Sequence, residues 1–293
     1  MKEAEKWEGG PIAVIGARGQ LGFELMRLLP KNLAIGWSRK EVDITDFPQV
    51  RQVLSHTPLN VLINTAAYHR TDECEEHPEL AFRVTSFAVA NLASLCRERG
   101  IVFVHISTDY VFDGEKREPY KEEDPVNPLN VYGMSKMLGE EAIKILCPKH
   151  FIIRTSGMFG RIGSTEKGGS FLHRMLARAK EGNPLKIVKD QWFSPTYASH
   201  LAKRILELIP GERYGTYHIT NSGETNWYEF ARTAVEMLGW EARIEPVHSE
   251  ELPARARRPR FSVLSNEKIH SLGFPPLPHW KEALKEFLSE WVP

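Results

Sequence analysis

Short apolar runs alternate with amphipathic stretches along the first half of the chain. Ile12–Ile15 is a compact apolar run rich in β-branched residues, and the periodicity of Phe23–Leu29 predicts a helix stopped by Pro30. Leu33–Trp37 and Val61–Ile63 repeat the strand pattern. Leu80–Arg99 has helical periodicity and ends at Gly100. Ile101–Ser107 reads as a fourth strand, Val131–Leu146 as a helix and Phe151–Thr155 as a fifth strand. Strands alternating with helices predict an α/β protein whose doubly wound parallel sheet has right-handed crossovers. Such strands are covered on both faces, so their apolar runs are unbroken.

Past about residue 157 the texture changes. Phe171–Glu181, Ser199–Leu208, Trp227–Leu238 and Trp280–Trp291 read as helices, and Lys186–Val188 as a short strand. Gly163–Gly169 is a loop of small and charged residues, and Leu252–Phe261 is rich in arginine and proline. Met1–Gly10 is polar and is expected to fray.

Composition narrows the class of protein. Lys plus Arg and Asp plus Glu both number 38 in 293 residues, so no basic face is demanded and no nucleic-acid partner is expected. Cys74, Cys96 and Cys147 have neither metal-ligand nor redox spacing, which predicts no metal site and suits a reducing compartment. Runs such as Ile101–Val104 are far too short to span a bilayer, and the charged N-terminus lacks a signal-peptide core. A cytoplasmic protein without a membrane partner is expected. Homodimer formation is left open by the sequence.

The chemistry enters with the turn after the first strand, Gly16-Ala17-Arg18-Gly19-Gln20-Leu21-Gly22. Glycines there let the backbone approach a diphosphate, and the free N–H groups of a helix start favour the anion. A structural βα turn would use glycines too. The sequence therefore predicts a Rossmann-like dinucleotide-binding domain over residues 11–157, with segments of 185–225 returning to it, and a smaller substrate lobe over 158–293. At the end of the second strand, Ser38 and Arg39 suit the 2′-phosphate of NADPH, while Glu41 keeps NADH open. Asp43-Ile44-Thr45-Asp46 places a carboxylate near the adenine, or supplies a helix N-cap through Asp43 or Asp46. After the third strand, Ala66, Ala67 and Tyr68 leave room for the cofactor.

Thr108 and Asp109 follow the fourth strand, at the carboxyl end where ligands of open α/β sheets bind. Thr108 is a candidate donor to a substrate carbonyl, or else a turn residue capping local backbone. Tyr132 and Lys136 are four residues apart, hence on one helix face. An ammonium there would lower the phenol's pKa and let it act as a general acid, and the lysine would also reach the cofactor ribose.

Taken together these segments resemble the extended short-chain dehydrogenases, and within them the dTDP-4-dehydrorhamnose reductases. The likeness rests on Gly16–Gly22, Asp43–Asp46, Asn64–Tyr68, Ser107–Gly114, Tyr132–Glu140 and Arg154–Ser156, then Asp190-Gln191, Ser194–Ala198 and Arg258-Pro259. The resemblance implies hydride delivery from NADPH or NADH to the C4 ketone of dTDP-4-dehydro-β-L-rhamnose. It implies Thr108, Tyr132 and Lys136 as the catalytic set and Thr108, Asp109, Gln191 and Arg258 at the substrate. The Arg255–Arg260 segment is a candidate receiver of the nucleotide diphosphate, or a solvated basic loop. Two positions depart from the family: Gly157 stands where tryptophan often lines the sugar site, and Thr85 where asparagine is frequent. Two other readings compete. The regulatory beta subunit of methionine adenosyltransferase shares these motifs, including Arg257–Arg260 with Ser262–Leu264. A nucleotide-sugar epimerase or dehydratase is the other, and Tyr110 after Asp109 disfavours the dehydratase acid pair.

Overall fold

Six parallel strands form the central sheet of the computed structural model, which describes residues 10–162 and 169–291. They are β1 (Ile12–Ile15), β2 (Ala34–Trp37), β3 (Val61–Asn64), β4 (Val102–Thr108), β5 (His150–Thr155) and β10 (Gly215–His218), in the spatial order β2-β1-β3-β4-β5-β10. The chain leaves β1 toward β2 and returns across it to β3, so the order reverses between β1 and β3. A crevice opens outside the carboxyl ends of the strands at such a reversal.

Each sheet face is buried against helices. Residues of alternating parity in β1 explain this: Ile12 and Val14 meet α1 (Gln20–Leu28) and α8 (Ala198–Leu208), through Leu21, Leu25, Leu201 and Ile205. Ala13 and Ile15 belong to the opposite core, with Val50 and Leu54 of α2 (Phe47–His56), Leu92 of α5 (Ala88–Arg99) and Ile143 of α6 (Val131–Leu146). The buried cysteines Cys96 and Cys147 pack in that second core.

The remaining elements build a lobe over one end of the sheet. Its core gathers α7 (Phe171–Lys180), α9 (Trp227–Met237) and α11 (Trp280–Glu290) around Phe159, Tyr197, Phe230 and Phe287. Three small sheets frame it: β7 (Leu185–Val188) with β12 (Ile244–Val247), β6 (Met158–Phe159) with β9 (Thr196–Tyr197), and β8 (Trp192–Phe193) with β11 (Thr225–Asn226). Helix α10 (Glu267–Ser271) instead puts Ile269 into the main core.

Several expectations need correcting. The helix expected over Leu80–Arg99 is α4 (Pro78–Phe82), a wider π-helical turn over Arg83–Phe87, and then α5, preceded by the short α3 (Thr71–Glu76). Thr85 explains the interruption. Its hydroxyl bonds back to the Ala81 carbonyl at 2.6 Å, and its own carbonyl lies against Gly139 of α6, where a Cβ would come within 2.4 Å. Helix α1 starts at Gln20, three residues before the expected Phe23, directly out of the glycine turn. Of the two carboxylates offered as caps, Asp46 is the N-cap of α2, accepting from the Gln49 N–H at 3.0 Å. The expectations for Met1–Gly10 and Gly163–Gly169 lie outside the described residues, except at Gly10 and Gly169.

Candidate active site

A continuous cleft of about 920 Å³ runs along the carboxyl ends of β1, β3, β4 and β5 and under the smaller lobe. It begins at the glycine turn. Gly16 has φ +80°, and a Cβ there would stand 2.6 Å from the Thr65 hydroxyl. A Cβ on Gly22 would stand 2.2 Å from the Gly16 carbonyl, so Gly22 fixes the turn from behind rather than lining the cleft. Gly19 caps α1 without any side-chain bond, which leaves first-turn N–H groups open toward the cleft formed by Gly16, Gly19, Gln20 and Leu21.

Basic groups gather beyond β2. Arg18, Arg39 and Lys40 line this end beside the buried Ser38. The Ser38 N–H donates to Glu41 at 2.6 Å, and Arg39 reaches Asp43 at 3.3 Å. Asp43 also accepts from Thr45 at both backbone and hydroxyl, and Arg39 and these bonds hold its carboxyl below the usual range against the effect of burial. Ile44, Ala66, Ala67 and Tyr68 complete this wall, with the Tyr68 hydroxyl donating to Glu73 at 2.9 Å.

Thr108, Tyr132 and Lys136 meet at the inner end. Helix α6 is aimed by its first turn: Asn130 caps the Gly133 N–H at 2.8 Å, Glu75 accepts from the Val131 N–H at 2.8 Å, and the Asn130 amide donates to the Arg257 carbonyl at 2.7 Å. Gly133 lets that turn press on the fourth strand's exit, since a Cβ would lie 2.1 Å from the Tyr110 carbonyl. The Tyr132 hydroxyl thereby reaches Thr108. Thr108 keeps its local role as well, accepting from the Tyr110 N–H at 3.2 Å. Thr85, in the family's asparagine position, bonds Ser135 at 2.7 Å, and Ser135 bonds the Tyr132 carbonyl at 2.8 Å.

The electrostatics differ from expectation. The lysine was expected to lower the tyrosine's pKa; burial instead raises it, reinforced by the nearby Asp109. Lys136 is fully inside, its Nζ bonded to His105 at 3.0 Å and to the Ile106 carbonyl, and burial pulls its pKa down to about 8. A phenol held protonated is still a proton donor, to a group more basic than itself.

Asp109 faces inward. Its carboxylate accepts from Thr108 at 3.1 Å, Ser156 at 2.7 Å and Ser262 at 2.6 Å, and burial outweighs these bonds to raise its pKa to about 6. This cage ties the ends of β4 and β5 to the arginine-rich segment. Gln191 lines the far end of the cleft with Trp192 and Phe193. Arg258 does not line it: its guanidinium pairs with Asp72 at 2.7 Å and contacts Tyr110. Arg255 pairs with Glu76 and Arg260 with Glu250, so these guanidiniums of the segment are engaged by carboxylates.

The lobe side of the cleft contains a steric exchange the sequence does not reveal. Gly157 has φ +48°, and a Cβ there would lie 2.1 Å from the Phe193 ring. That ring is stacked on Trp227 at 4.0 Å and 20°. Phe193 therefore fills the space a side chain at position 157 would claim. Also unforeseen are His105 beneath Lys136 and the buried pair Arg154–Glu140, at 2.6 Å, behind the strand ends.

The family model described as the RmlD substrate binding domain matches residues 11–292. The chain belongs to this family. It is 39% identical over 281 residues to the spore coat polysaccharide biosynthesis protein SpsK of Bacillus subtilis (strain 168), covering 95% of this chain and 97% of that one. It is 36% identical to the dTDP-4-dehydrorhamnose reductase of Streptomyces griseus, covering 93% and 91%. Among solved structures, the dTDP-4-dehydrorhamnose reductase of Bacillus anthracis str. Ames in complex with NADP superposes with a TM-score of 0.92 at 35% identity, over 96% of this chain and 99% of that one. No helix among the described residues of this RmlD-family chain is long and apolar enough to cross a membrane.

Proposed function

We propose that the protein reduces dTDP-4-dehydro-β-L-rhamnose to dTDP-L-rhamnose with NADPH. The observation that carries this reading is the meeting of Thr108, Tyr132 and Lys136 at the inner end of a cleft that begins at the glycine turn, in a chain of the RmlD family. The glycine turn fits a dinucleotide, because Gly16 takes a left-handed φ of +80° with no room for a Cβ beside Thr65, and the uncapped start of α1 lies at the cleft. Arg18, Ser38, Arg39 and Lys40 would hold the 2′-phosphate, in agreement with the NADP found in the Bacillus anthracis relative. Bound there, NADPH supplies the hydride.

The chain's own groups do the rest. Thr108 orients the C4 carbonyl, and Tyr132 gives its proton to the developing alkoxide. Lys136 holds the ribose and lies one helical turn from the tyrosine. Gln191 faces the sugar at the lobe side of the cleft. Asp109 acts behind Thr108 by fixing its hydroxyl, and Arg258 acts through the α3 contact rather than as a free phosphate clamp.

The test is consumption of NADPH by the purified protein with dTDP-4-dehydrorhamnose. Tyr132→Phe should lower kcat by about 10²–10⁴-fold while the circular dichroism spectrum stays unchanged. No NADPH consumption by the wild type, or full turnover in Tyr132→Phe, would overturn the reading.

A further inference from the structure

Beneath the reaction centre, three buried side chains form a chain whose hydrogen-bond polarity can be counted. Asn64 and His105 are register partners on β3 and β4, both fully buried, and Lys136 descends on them from α6. The Ala66 N–H donates to Asn64 Oδ1 at 3.1 Å, which fixes the amide: its NH₂ faces His105 Nδ1 at 3.2 Å. Turning the amide over would set NH₂ against the Ala66 N–H, donor against donor. His105 Nδ1 must therefore accept, so the ring's proton lies on Nε2. That nitrogen is 3.0 Å from Lys136 Nζ. A ring N–H can only donate, and a lysine can only receive it through the lone pair of a neutral amine. The amine's own hydrogen goes to the Ile106 carbonyl.

We infer that the Asn64–His105–Lys136 chain couples the charge of Lys136 to the tautomer of His105, with His105 the positioning residue that sets the lysine's proton affinity. The inference rests on Lys136 being the lysine of the proposed reductase site. Charging Lys136 makes its nitrogen a donor only. His105 Nε2 must then accept, its proton moves to Nδ1, and the Asn64 amide must turn, releasing the Ala66 N–H at the wall of the cleft. The lysine's charge is thus coupled to the loop after β3.

The surroundings agree. From α6 itself come Tyr132 and Glu140, and Glu140 raises the lysine's proton affinity while it is committed to Arg154 of β5 and Ser107 of β4. From β4 come His105, driven well below the usual histidine range by burial and by Lys136, and Asp109, caged by three hydroxyls. Helix α3 places Cys74 beside Tyr132, and the π-turn packs the uncharged Thr85 and Ser86 on α6, bonded to Ser135, while its Arg83 is exposed and donates to the Thr45 carbonyl. Burial lowers Lys136 more than Glu140 raises it.

The experiment needs no turnover, so its failure is distinct from failure of the reductase reading. The full-length protein is labelled with ¹³C-lysine and ¹⁵N-histidine and titrated from pH 6 to 10 by NMR, with Lys136 assigned by the loss of its signal in Lys136→Met. Lys136 should titrate at least two pH units below ordinary lysines, which lie near 10.4. His105 should pass from the Nε2–H to the Nδ1–H tautomer, as pH falls, through the same midpoint. In His105→Gln, whose side-chain carbonyl can accept from an ammonium, the midpoint should rise by at least one unit. A single His105 tautomer across the lysine transition, or an unmoved midpoint in a folded His105→Gln, would overturn the inference. Should that variant fail to fold, the wild-type tautomer decides.

Discussion

Breaking the Arg154–Glu140 pair should cost far more than removing it whole. Arg154 is 1% exposed and Glu140 0%, and the guanidinium reaches the carboxylate at 2.6, 3.0 and 3.1 Å. Ser107 donates to the same carboxylate. Arg154→Met strands a carboxylate with one hydroxyl donor, and Glu140→Met strands a guanidinium whose other contacts, the Glu122 carbonyl and His218, are 3.4 and 3.5 Å away. Each single change should cost about 3–5 kcal/mol, because an uncompensated charge stays buried. The double change leaves an apolar pair and an orphaned Ser107 hydroxyl worth about 1–3 kcal/mol. Urea unfolding followed by far-UV circular dichroism would give the four stabilities, and the cycle should return a coupling of several kcal/mol. Additive losses, with the double variant as unstable as the two singles combined, would refute the view that each charge exists to neutralise the other.

Other predictions are as direct. Asp109 has its folded pKa raised to about 6 from 3.8, so the folded state binds the extra proton: its contribution to stability is fully present below about pH 4 and is lost as pH rises through 6, a swing of about 3 kcal/mol. The stability of the wild type relative to Asp109→Asn should therefore fall between pH 4 and 6 and stay flat above, as read from urea melts; a flat difference throughout would disprove the carboxylate's elevated pKa. Gly157→Ala should destabilise by about 2 kcal/mol or more, since its Cβ meets the Phe193 ring at 2.1 Å, and by only about 1 kcal/mol in a Phe193→Ala background, where only the positive φ remains unfavourable. Equal losses in the two backgrounds would place the strain elsewhere. Asp46→Ala should cost about 1 kcal/mol through the lost cap of α2, with no change in NADPH affinity by fluorescence titration.

The parts legible in the sequence were those whose physics is local. Unbroken β-branched runs marked β1, β3, β4 and β5 because burial on both faces demands them, and Tyr132 and Lys136 share a helix face by arithmetic. Strand β10 escaped because Gly-Thr-Tyr-His has no apolar run; it is an edge strand placed by pairing with β5. Helix α2 escaped because its buried residues are only Val50 and Leu54, leaving its periodicity faint. Contacts between distant segments were not legible at all. Nothing near Lys136 in sequence announces His105, and Asp109 lies 153 positions from Ser262, which holds it. The direction of the Tyr132 shift was misjudged because spacing predicts proximity but says nothing of burial.

The exchange between Gly157 and Phe193 also restricts how such a site can arise by successive substitution. With Phe193 in place, any side chain at 157 is blocked sterically, and φ +48° disfavours one further. With a large residue at 157, the Phe193 ring has no room beside Trp227. A lineage moving between the two states must therefore shrink one position before enlarging the other, passing through an ancestor with an underfilled wall. Such an intermediate would be less stable and would leave that wall of the cleft open, so the two positions should be inherited as a linked pair rather than drift independently.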